Sequence, residues 1–307
     1  MKISICIPVF NGAKTIEALI EKTRHELKDY SLEFVLVNDG SKDESDAVCS
    51  CIAEQYEDVK YICLRRNFGE HNAVMCALNH CTGDYAVIID DDFQNPPSEI
   101  RKLIQEANSG FDVVYAKYRK KQHSFFRNLG SKFNDRVATW LIGKPKDLYL
   151  CSFKLIRKEV VQEIIKYKGP FPYIDGLILR VTDNISSVYV EHLPRKEGRS
   201  NYTLPRLINL WLNMFINFSI KPLRIVTFIG LITAIICVAL GLYFFIDKMI
   251  NPDSAPIGWA SLVIIVLFLG SIQLIGLGIA GEYIGKTYLD KNGTPQWVIK
   301  KKSYSEN

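Results

Sequence analysis

The chain has no cysteine pair with the spacing of a zinc site or a redox motif. Its eight cysteines are scattered, and Cys49 and Cys51 are too close together for ordinary metal-ligand spacing. We also expect no secretory signal, because Met1 leads directly into a short strand-like run without a long apolar stretch or a cleavage site. We therefore expect reduced cysteines, mostly buried as small apolar residues, in a cytosolic environment.

A strong charge of one sign is absent as well. The formal net charge is +5, which is too mild to indicate a nucleic-acid partner. The positive charge is nevertheless clustered, since lysines and arginines concentrate in residues 117–136 and again in residues 195–199. Each cluster is either a solvated basic face or a site for anionic lipid or phosphate.

The N-terminal region lacks the glycine fingerprint of nicotinamide-dependent enzymes. A G-x-G-x-x-G match occurs at residues 276–281, but it lies inside an apolar run rather than between a strand and a helix. Close packing of membrane helices, continued by Gly285, explains these glycines better. They are compatible with packing between subunits of a homo-oligomer, although the sequence does not set the number of subunits.

Short apolar runs alternate with helical patterns through the first part of the chain. The predicted strands are residues 3–10, 32–37, 59–64, 85–89 and 112–116, and the predicted helices are residues 13–27, a helix from 43, residues 69–80 and a helix opened by Pro96-Pro97. This alternation predicts an α/β fold with a mostly parallel sheet and helices on both faces.

Polar groups follow several of these strands, at residues 8–11, 38–41 and 90–94. Ligands of parallel sheets bind beyond the carboxyl ends of the strands, so the pattern predicts one crevice built from distant parts of the sequence. Asp90, Asp91 and Asp92 are adjacent carboxylates that repel one another. A Mg²⁺ or Mn²⁺ ion would relieve that repulsion, because both metals prefer hard oxygen ligands.

Long apolar runs appear only later in the chain. Residues 225–246 and 258–281 have about the length of transmembrane helices. Lysines follow the second run, while the loop between the runs carries two acids and one lysine, so the positive-inside rule places both flanks in the cytoplasm. Residues 204–220 predict an interfacial helix. Residues 125–142 predict a basic amphipathic helix that either lies on a membrane or packs on the domain.

The segments at the strand ends resemble those of a known family. The chain contains five segments whose order and spacing resemble those of GT-A family 2 glycosyltransferases. They are Ile-Pro-Val-Phe-Asn, Val-Asn-Asp-Gly-Ser, Arg-Asn-Phe-Gly, Thr-Gly-Asp and Asp-Asp-Asp-Phe-Gln-Asn-Pro-Pro. The R-x-x-G-x-S pattern at 195–200 and Gly-Glu-Tyr-Ile-Gly-Lys at 281–286 resemble the family's polyprenyl-phosphate subgroup, the dolichol-phosphate mannose synthase-like and bactoprenol glucosyltransferase-like enzymes. The resemblance covers essentially the whole chain and implies a GT-A, Rossmann-like fold.

The resemblance also implies a domain organisation. A cytoplasmic GT-A catalytic domain would span residues 1–202, followed by a juxtamembrane amphipathic helix at 203–222, two transmembrane helices at 223–285 and a cytoplasmic tail at 286–307. The protein is then expected to be a multi-pass protein of the inner (plasma) membrane, with the catalytic domain and both termini in the cytoplasm.

Roles for individual residues follow from the resemblance, position by position. The implied nucleotide-sugar contacts are Pro8, Val9, Asn11, Asp39, Ser41, Asp90 and Asp91. Asp92 and Gln94 would hold Mg²⁺ or Mn²⁺ on the diphosphate. The implied acceptor-phosphate contacts are Lys117, Arg127, Ser131, Arg195 and Ser200, and the implied catalytic residues are Asp92, Arg127 and Arg195. Asp175 either lines the acceptor side or lies in a turn.

The implied reaction is inverting transfer of a sugar from a nucleotide-sugar, UDP being favoured, to a polyprenyl phosphate, undecaprenyl phosphate being favoured. The product would be a lipid-linked sugar donor for cell-envelope glycan modification. Such an acceptor is already anionic, so the enzyme supplies proximity and leaving-group stabilisation rather than a base. A processive polysaccharide synthase would carry a Gln-x-x-Arg-Trp motif, which this chain lacks. Transfer to diacylglycerol and a non-catalytic nucleotide-sugar-binding scaffold remain as alternatives.

Overall fold

The computed structural model of the chain describes residues 1–118, 145, 148–193, 221–250 and 258–304. The chain divides into two compact units, one of Met1–Tyr202 with Gly293–Asn307 and the other of Thr203–Asn292. The C-terminal segment therefore belongs to the first unit, although the second unit precedes it in the sequence. The amphipathic helices predicted at 125–142 and 204–220 lie outside the described residues.

The first unit contains strands and short helices. Its strands are β1 (Lys2–Val9), β2 (Ser31–Asn38), β3 (Val59–Leu64), β4 (Tyr85–Ile88), β5 (Val113–Tyr118), β6 (Lys154–Arg157), β7 (Ile185–Val190) and β8 (Ile299–Lys302). Its helices are α1 (Ile16–Glu26), α2 (Ser45–Gln55), α3 (Glu70–His80), α4 (Ile100–Ala107), α5 (Lys158–Ile164) and α6 (Ile174–Val181). A 3-10 turn at Pro97–Glu99 leads into α4.

The strands form one sheet in the order β7-β5-β6-β4-β1-β2-β3-β8. The pairs β1–β2, β1–β4, β2–β3 and β5–β7 are parallel, while β6 runs antiparallel to β4 and β5, and β8 runs antiparallel to β3. The predicted, mostly parallel α/β sheet is thus confirmed. All five predicted strands are present, and the third has its predicted bounds. Strands β6, β7 and β8 were not predicted.

The core explains why the early strands lack alternation. In β1, Ile3, Ile5 and Ile7 are fully buried, and so is Cys6 between them, because this central strand is covered on both faces. The predicted helical spacing of α1 is confirmed, since Ile16, Leu19, Ile20 and Thr23 form its buried face. Burying each such aliphatic side chain contributes roughly 1.5–3 kcal/mol.

The second unit contains two long helices, α7 (Lys221–Ile250) and α8 (Trp259–Lys291). By length and composition, Phe268–Lys291 could cross a membrane, and Val226–Leu240 is a shorter apolar stretch. Among the described residues one helix thus meets the requirement, and the predicted pair of transmembrane helices is not confirmed. The helices come close at Gly276, where an added Cβ would lie 2.8 Å from Cγ1 of Val226. Close helix packing, predicted for this glycine run, is therefore found at Gly276. An added Cβ at Gly278, Gly281 or Gly285 would meet nothing within 4 Å in the described residues, so the structure gives no such contact for these three.

Candidate active site

The ends of β1, β2 and β4 meet at one edge of the sheet, as the sequence predicted. Register pairs Val9 with Asn38 and Cys6 with Ile88, so the segments that follow these strands are neighbours. The backbone N–H of Phe10 donates to Oδ2 of Asp91 over 3.3 Å. Residues more than 80 positions apart in the chain thus form one crevice beyond the sheet.

The turn after β1 is tied to the turn after β2. The N–H of Asn11 donates to Oγ of Ser41 over 2.9 Å, and Oδ1 of Asn11 accepts from the N–H of Lys42 over 2.9 Å. Asn11 has a φ of 57°, a left-handed conformation that asparagine tolerates better than most residues. Of the predicted nucleotide contacts, Asn11 and Ser41 therefore lie side by side.

Two further predicted nucleotide contacts are placed where they support this loop. The side chain of Val9 is fully buried in the hydrophobic core, and its carbonyl accepts from the N–H of Asp39 over 2.9 Å. Pro8, one residue earlier, is partly exposed at the end of β1. Contact between Val9 or Pro8 and a nucleotide stays a prediction.

Asp39 joins the loop after β2 to the loop after β3. Its carboxylate accepts the N–H of Phe68 over 2.7 Å and that of Gly69 over 2.9 Å, and the residue is only 2% exposed. Burial raises the pKa of this carboxyl above its ordinary value, although the two N–H donors oppose that rise. Asp39 therefore shapes the loop to which the family resemblance assigns contact with a nucleotide, and direct contact with a ligand stays a prediction.

The three aspartates lie in a turn beyond β4 and direct their carboxylates to different places. Ser152 donates to Oδ2 of Asp90 over 2.7 Å, and the N–H of Gln94 donates to Oδ1 of Asp92 over 3.0 Å. Asp91 packs so closely on Gly12 that a Cβ added there would lie 2.1 Å from its Oδ2. Asp91 is therefore the member that faces the end of β1.

Asp92 and its neighbours have the oxygen-bearing side chains that a divalent cation prefers. In the part of the chain that the structure describes, no group of three His, Cys, Asp or Glu side chains could hold a metal ion alone. Mg²⁺ sites of nucleotide-binding enzymes commonly use one or two carboxylates and complete the shell with water and substrate phosphate oxygens. Asp92 and Gln94 offer hard oxygen donors and are linked through the N–H of Gln94, so the predicted pair fits such a site in residue type.

A buried ion pair lies close to these aspartates and was missed by sequence reasoning. Lys154 pairs with Asp175, and their side chains are only 3% and 10% exposed. The hydroxyl of Tyr115 also donates to Asp175, over 2.9 Å. Asp175 sits in the first turn of α6 and not in an isolated turn, which was one of the two alternatives considered from sequence. The other alternative, that Asp175 lines the acceptor side, stays a prediction.

The first turn of α3 supplies two further polar residues, Glu70 and His71. The surrounding protein and the charge of Asp90 raise the pKa of Glu70, while Lys154 opposes the rise. Burial lowers the pKa of His71, whose ring meets that of Tyr173 edge-on at 5.4 Å. Glu70 and His71 directly follow the Arg-Asn-Phe-Gly segment, and this position could have marked them as candidate site residues in the sequence analysis.

The predicted acceptor-phosphate residues are only partly described. Lys117 lies on β5 opposite Tyr189 of β7, with Nζ 5.3 Å from the centre of the tyrosine ring. Arg127, Ser131, Arg195 and Ser200 lie outside the described residues. Their predicted roles, including catalysis by Arg127 and Arg195, stay predictions.

A family model for glycosyl transferase family 2 matches residues 4–165 of this chain. The chain belongs to this family. It is 32% identical over 305 residues to the undecaprenyl-phosphate 4-deoxy-4-formamido-L-arabinose transferase of Enterobacter sp. (strain 638), covering 98% of this chain and 93% of that protein. It is 34% identical over 310 residues to the prophage bactoprenol glucosyl transferase homolog of Escherichia coli (strain K12), covering 98% and 99%.

Solved structures share the fold of this glycosyltransferase. Glucosyl-3-phosphoglycerate synthase from Mycobacterium tuberculosis, crystallised with Mn²⁺, UDP-glucose and phosphoglyceric acid, aligns with a TM-score of 0.53. The alignment covers 70% of this chain and 79% of that protein at 17% identity. This likeness establishes the α/β architecture of the catalytic unit.

Proposed function

We propose that this family 2 glycosyltransferase transfers a sugar from a nucleotide-sugar to a polyprenyl phosphate at the cytoplasmic face of a membrane. The observation that carries the proposal is the full-length likeness to two relatives named for different sugars, formamido-arabinose in one and glucose in the other. Both names specify a polyprenyl acceptor. The sugar differs between these two relatives, whereas the class of lipid acceptor is the same. We therefore infer the acceptor class for this chain and leave the sugar open.

The geometry of the crevice supports a nucleotide-sugar donor. Asn11, Ser41 and Asp39 hold the loops after β1, β2 and β3 together through side-chain and backbone hydrogen bonds. This sheet edge is where α/β proteins bind nucleotides. UDP is the favoured nucleotide on the family resemblance, and the crystallised structural neighbour also carries a UDP-sugar.

The reaction needs no general base from the protein, because a polyprenyl phosphate is already an anionic nucleophile. Asp92 and Gln94 would hold a Mg²⁺ or Mn²⁺ ion, which when bound neutralises charge on the departing nucleoside diphosphate. Asp90 and Asp91 orient the donor, and Arg127 and Arg195 would hold phosphates through forked hydrogen bonds. In-line attack then inverts the configuration at the anomeric carbon.

Transfer of radiolabelled sugar from a panel of UDP- and GDP-sugars to undecaprenyl phosphate tests the proposal. With purified protein in detergent, we expect an organic-soluble product that disappears with EDTA and returns with Mg²⁺ or Mn²⁺. Asp92→Ala should lower the rate at least about 100-fold, the size of effect seen when an electrostatic stabiliser of a leaving group is lost. Asp183→Asn, at an exposed aspartate, is the matched control and should retain activity.

Each other outcome has a clear meaning. Product with diacylglycerol but not with undecaprenyl phosphate would replace the acceptor class. Nucleotide binding without transfer from any donor would support the scaffold alternative. A product that keeps the anomeric configuration of the donor would contradict the direct attack.

A further inference from the structure

The segment after the apolar helix α8 returns to the catalytic unit and completes the edge of its sheet. Strand β8 pairs with β3 so that Ile62 lies opposite Lys302. Ser303 closes the pairing, since its N–H donates to the carbonyl of Tyr61 over 3.0 Å and its Oγ accepts from the N–H of Tyr61 over 2.9 Å. At the other end, the N–H of Arg65 donates to the carbonyl of Val298 over 2.9 Å.

Gln296 of this segment is a buried polar residue, with 7% of its surface exposed. Its Nε2 donates to the carbonyl of Gly169 over 2.8 Å. Its Oε1 is also buried and receives no hydrogen bond from any residue that the structure describes. A buried amide oxygen without a donor lowers stability, which offsets part of what the hydrogen bond to Gly169 contributes.

The loop that Gln296 holds is held from its other side by α3. Nδ2 of Asn72 donates to the carbonyl of Phe68 over 2.7 Å and approaches that of Pro170 at 3.4 Å. Three positions after Pro170, the ring of Tyr173 meets that of His71 edge-on. The segment from Gly169 to Tyr173 is therefore clamped between the start of α3 and the C-terminal segment.

This clamped loop leads directly into α6, which begins at Ile174. Asp175, in its first turn, pairs with Lys154 on β6. Ser152, just before β6, donates to Asp90 in the crevice. A continuous set of contacts thus runs from Gln296 through the loop and the ion pair to the aspartates of the proposed donor site.

We infer that Gln296 is a positioning residue for sugar transfer, holding the loop at Gly169 so that Asp175 and Lys154 fix the crevice around Asp90. The inference rests on the proposed function. It makes the C-terminal segment part of the catalytic apparatus rather than a solvent-exposed tail. Gln296 touches no reacting group itself, so its effect is on the geometry of transfer and not on nucleotide affinity.

Gln296→Met tests this, because methionine has a similar length and volume but no donor for the Gly169 carbonyl. We expect kcat for transfer to fall about 5- to 30-fold, as for loss of one buried hydrogen bond. UDP affinity should stay close to wild type. The melting temperature should change little, because methionine removes the buried unpaired Oε1 together with the donor to Gly169. Backbone amides of residues 174–181 should exchange with deuterium faster. The control is Lys301→Ala, because Lys301 lies on the same C-terminal segment and makes an exposed ion pair with Asp46 of α2. This variant should leave kcat, UDP affinity, the melting temperature and the exchange rates unchanged.

The outcomes separate the two proposals. If wild-type protein transfers no sugar, the proposed function fails, and deuterium exchange alone still decides whether Gln296 holds α6. If Gln296→Met keeps kcat within about twofold and wild-type exchange, the inference is wrong. Parallel losses of kcat, UDP affinity and melting temperature would also overturn it, because they indicate a purely structural role.

Discussion

Two acidic side chains of the catalytic unit are almost fully buried and are stabilised in different ways. Glu33 and Asp39 lie at opposite ends of β2 and are 3% and 2% exposed. In the part of the chain that the structure describes, Asp39 accepts from two backbone N–H groups, and burial raises its pKa. Burial acts the same way on Glu33, but hydrogen bonds from Lys60, Ser4 and Thr82 outweigh it and lower the pKa to about 2. At neutral pH the ionised carboxylate of Glu33, with its lowered pKa, therefore stabilises the folded state.

Glu33→Gln should destabilise the protein without impairing transfer, because Glu33 lies at the end of the sheet away from the crevice. The pKa falls from 4.5 to about 2, which corresponds to about 3 kcal/mol at about 1.4 kcal/mol per pKa unit. A depressed pKa contributes stability above the unfolded value, and that contribution is lost as the pH falls from 4.5 towards 2. Melting temperatures in detergent should therefore differ at pH 7 and converge below pH 4.5.

Glu57→Gln, at an exposed glutamate, is the matched control for this comparison and should change the melting temperature little. A constant difference between wild type and Glu33→Gln across the whole pH range would show that packing, rather than the charge of Glu33, sets the effect.

At the scale of elements, the loops after β2 and β3 act as one structure. Gly40 has a φ of +66°, and an added Cβ would lie 2.6 Å from backbone atoms of Arg66 and Asn67. Only glycine permits this approach, since neither a backbone conformation of this kind nor a contact of this length suits a side chain. The Asp39 carboxylate then locks the two loops at Phe68 and Gly69.

Gly40→Ala should push these loops apart and raise the KM for the nucleotide-sugar at least about tenfold, since about 1.4 kcal/mol of lost binding has that effect. Gly110→Ala is a matched control, because Gly110 also has a positive φ, +101°, but an added Cβ meets nothing within 4 Å. Both variants carry backbone strain, so both should lower the melting temperature. Equal KM values for the two variants would contradict the proposed coupling of the loops.

The strands that the sequence predicted are those with their own apolar signal. Runs such as β1 and β3 are apolar enough to be recognised alone, and the polar residues after them mark the crevice. Strand β8 reads Ile-Lys-Lys-Lys, a composition without such a signal, and it forms because the edge of β3 offers unpaired backbone groups. The Lys154–Asp175 pair could not be predicted for a similar reason, since the contact exists only after β6 and α6 pack.

At the scale of the whole molecule, the return of the C-terminal segment constrains membrane topology. The chain leaves the catalytic unit, runs through α7 and α8, and comes back to pair β8 with β3. For the membrane-bound enzyme that we propose, a strand cannot join this sheet from across a bilayer, so the helices between would cross it an even number of times or not at all. This argument is independent of the positive-inside rule, and both place the end of the chain on the catalytic side.

Epitope tags test this topology in intact cells and in inverted membrane vesicles. A tag after Asn307 should be reached by protease or antibody only from the cytoplasmic side, and a tag inserted after Ser254, between the helices, only from the outside. The transfer activity of each tagged protein is the control for folding. Tags on opposite sides are the outcome expected from the two crossings that we propose, one by α7 and one by α8. If both tags were cytoplasmic, the helices would lie in one leaflet. If the Asn307 tag were external, the pairing of β8 with β3 would be wrong for the membrane-bound protein.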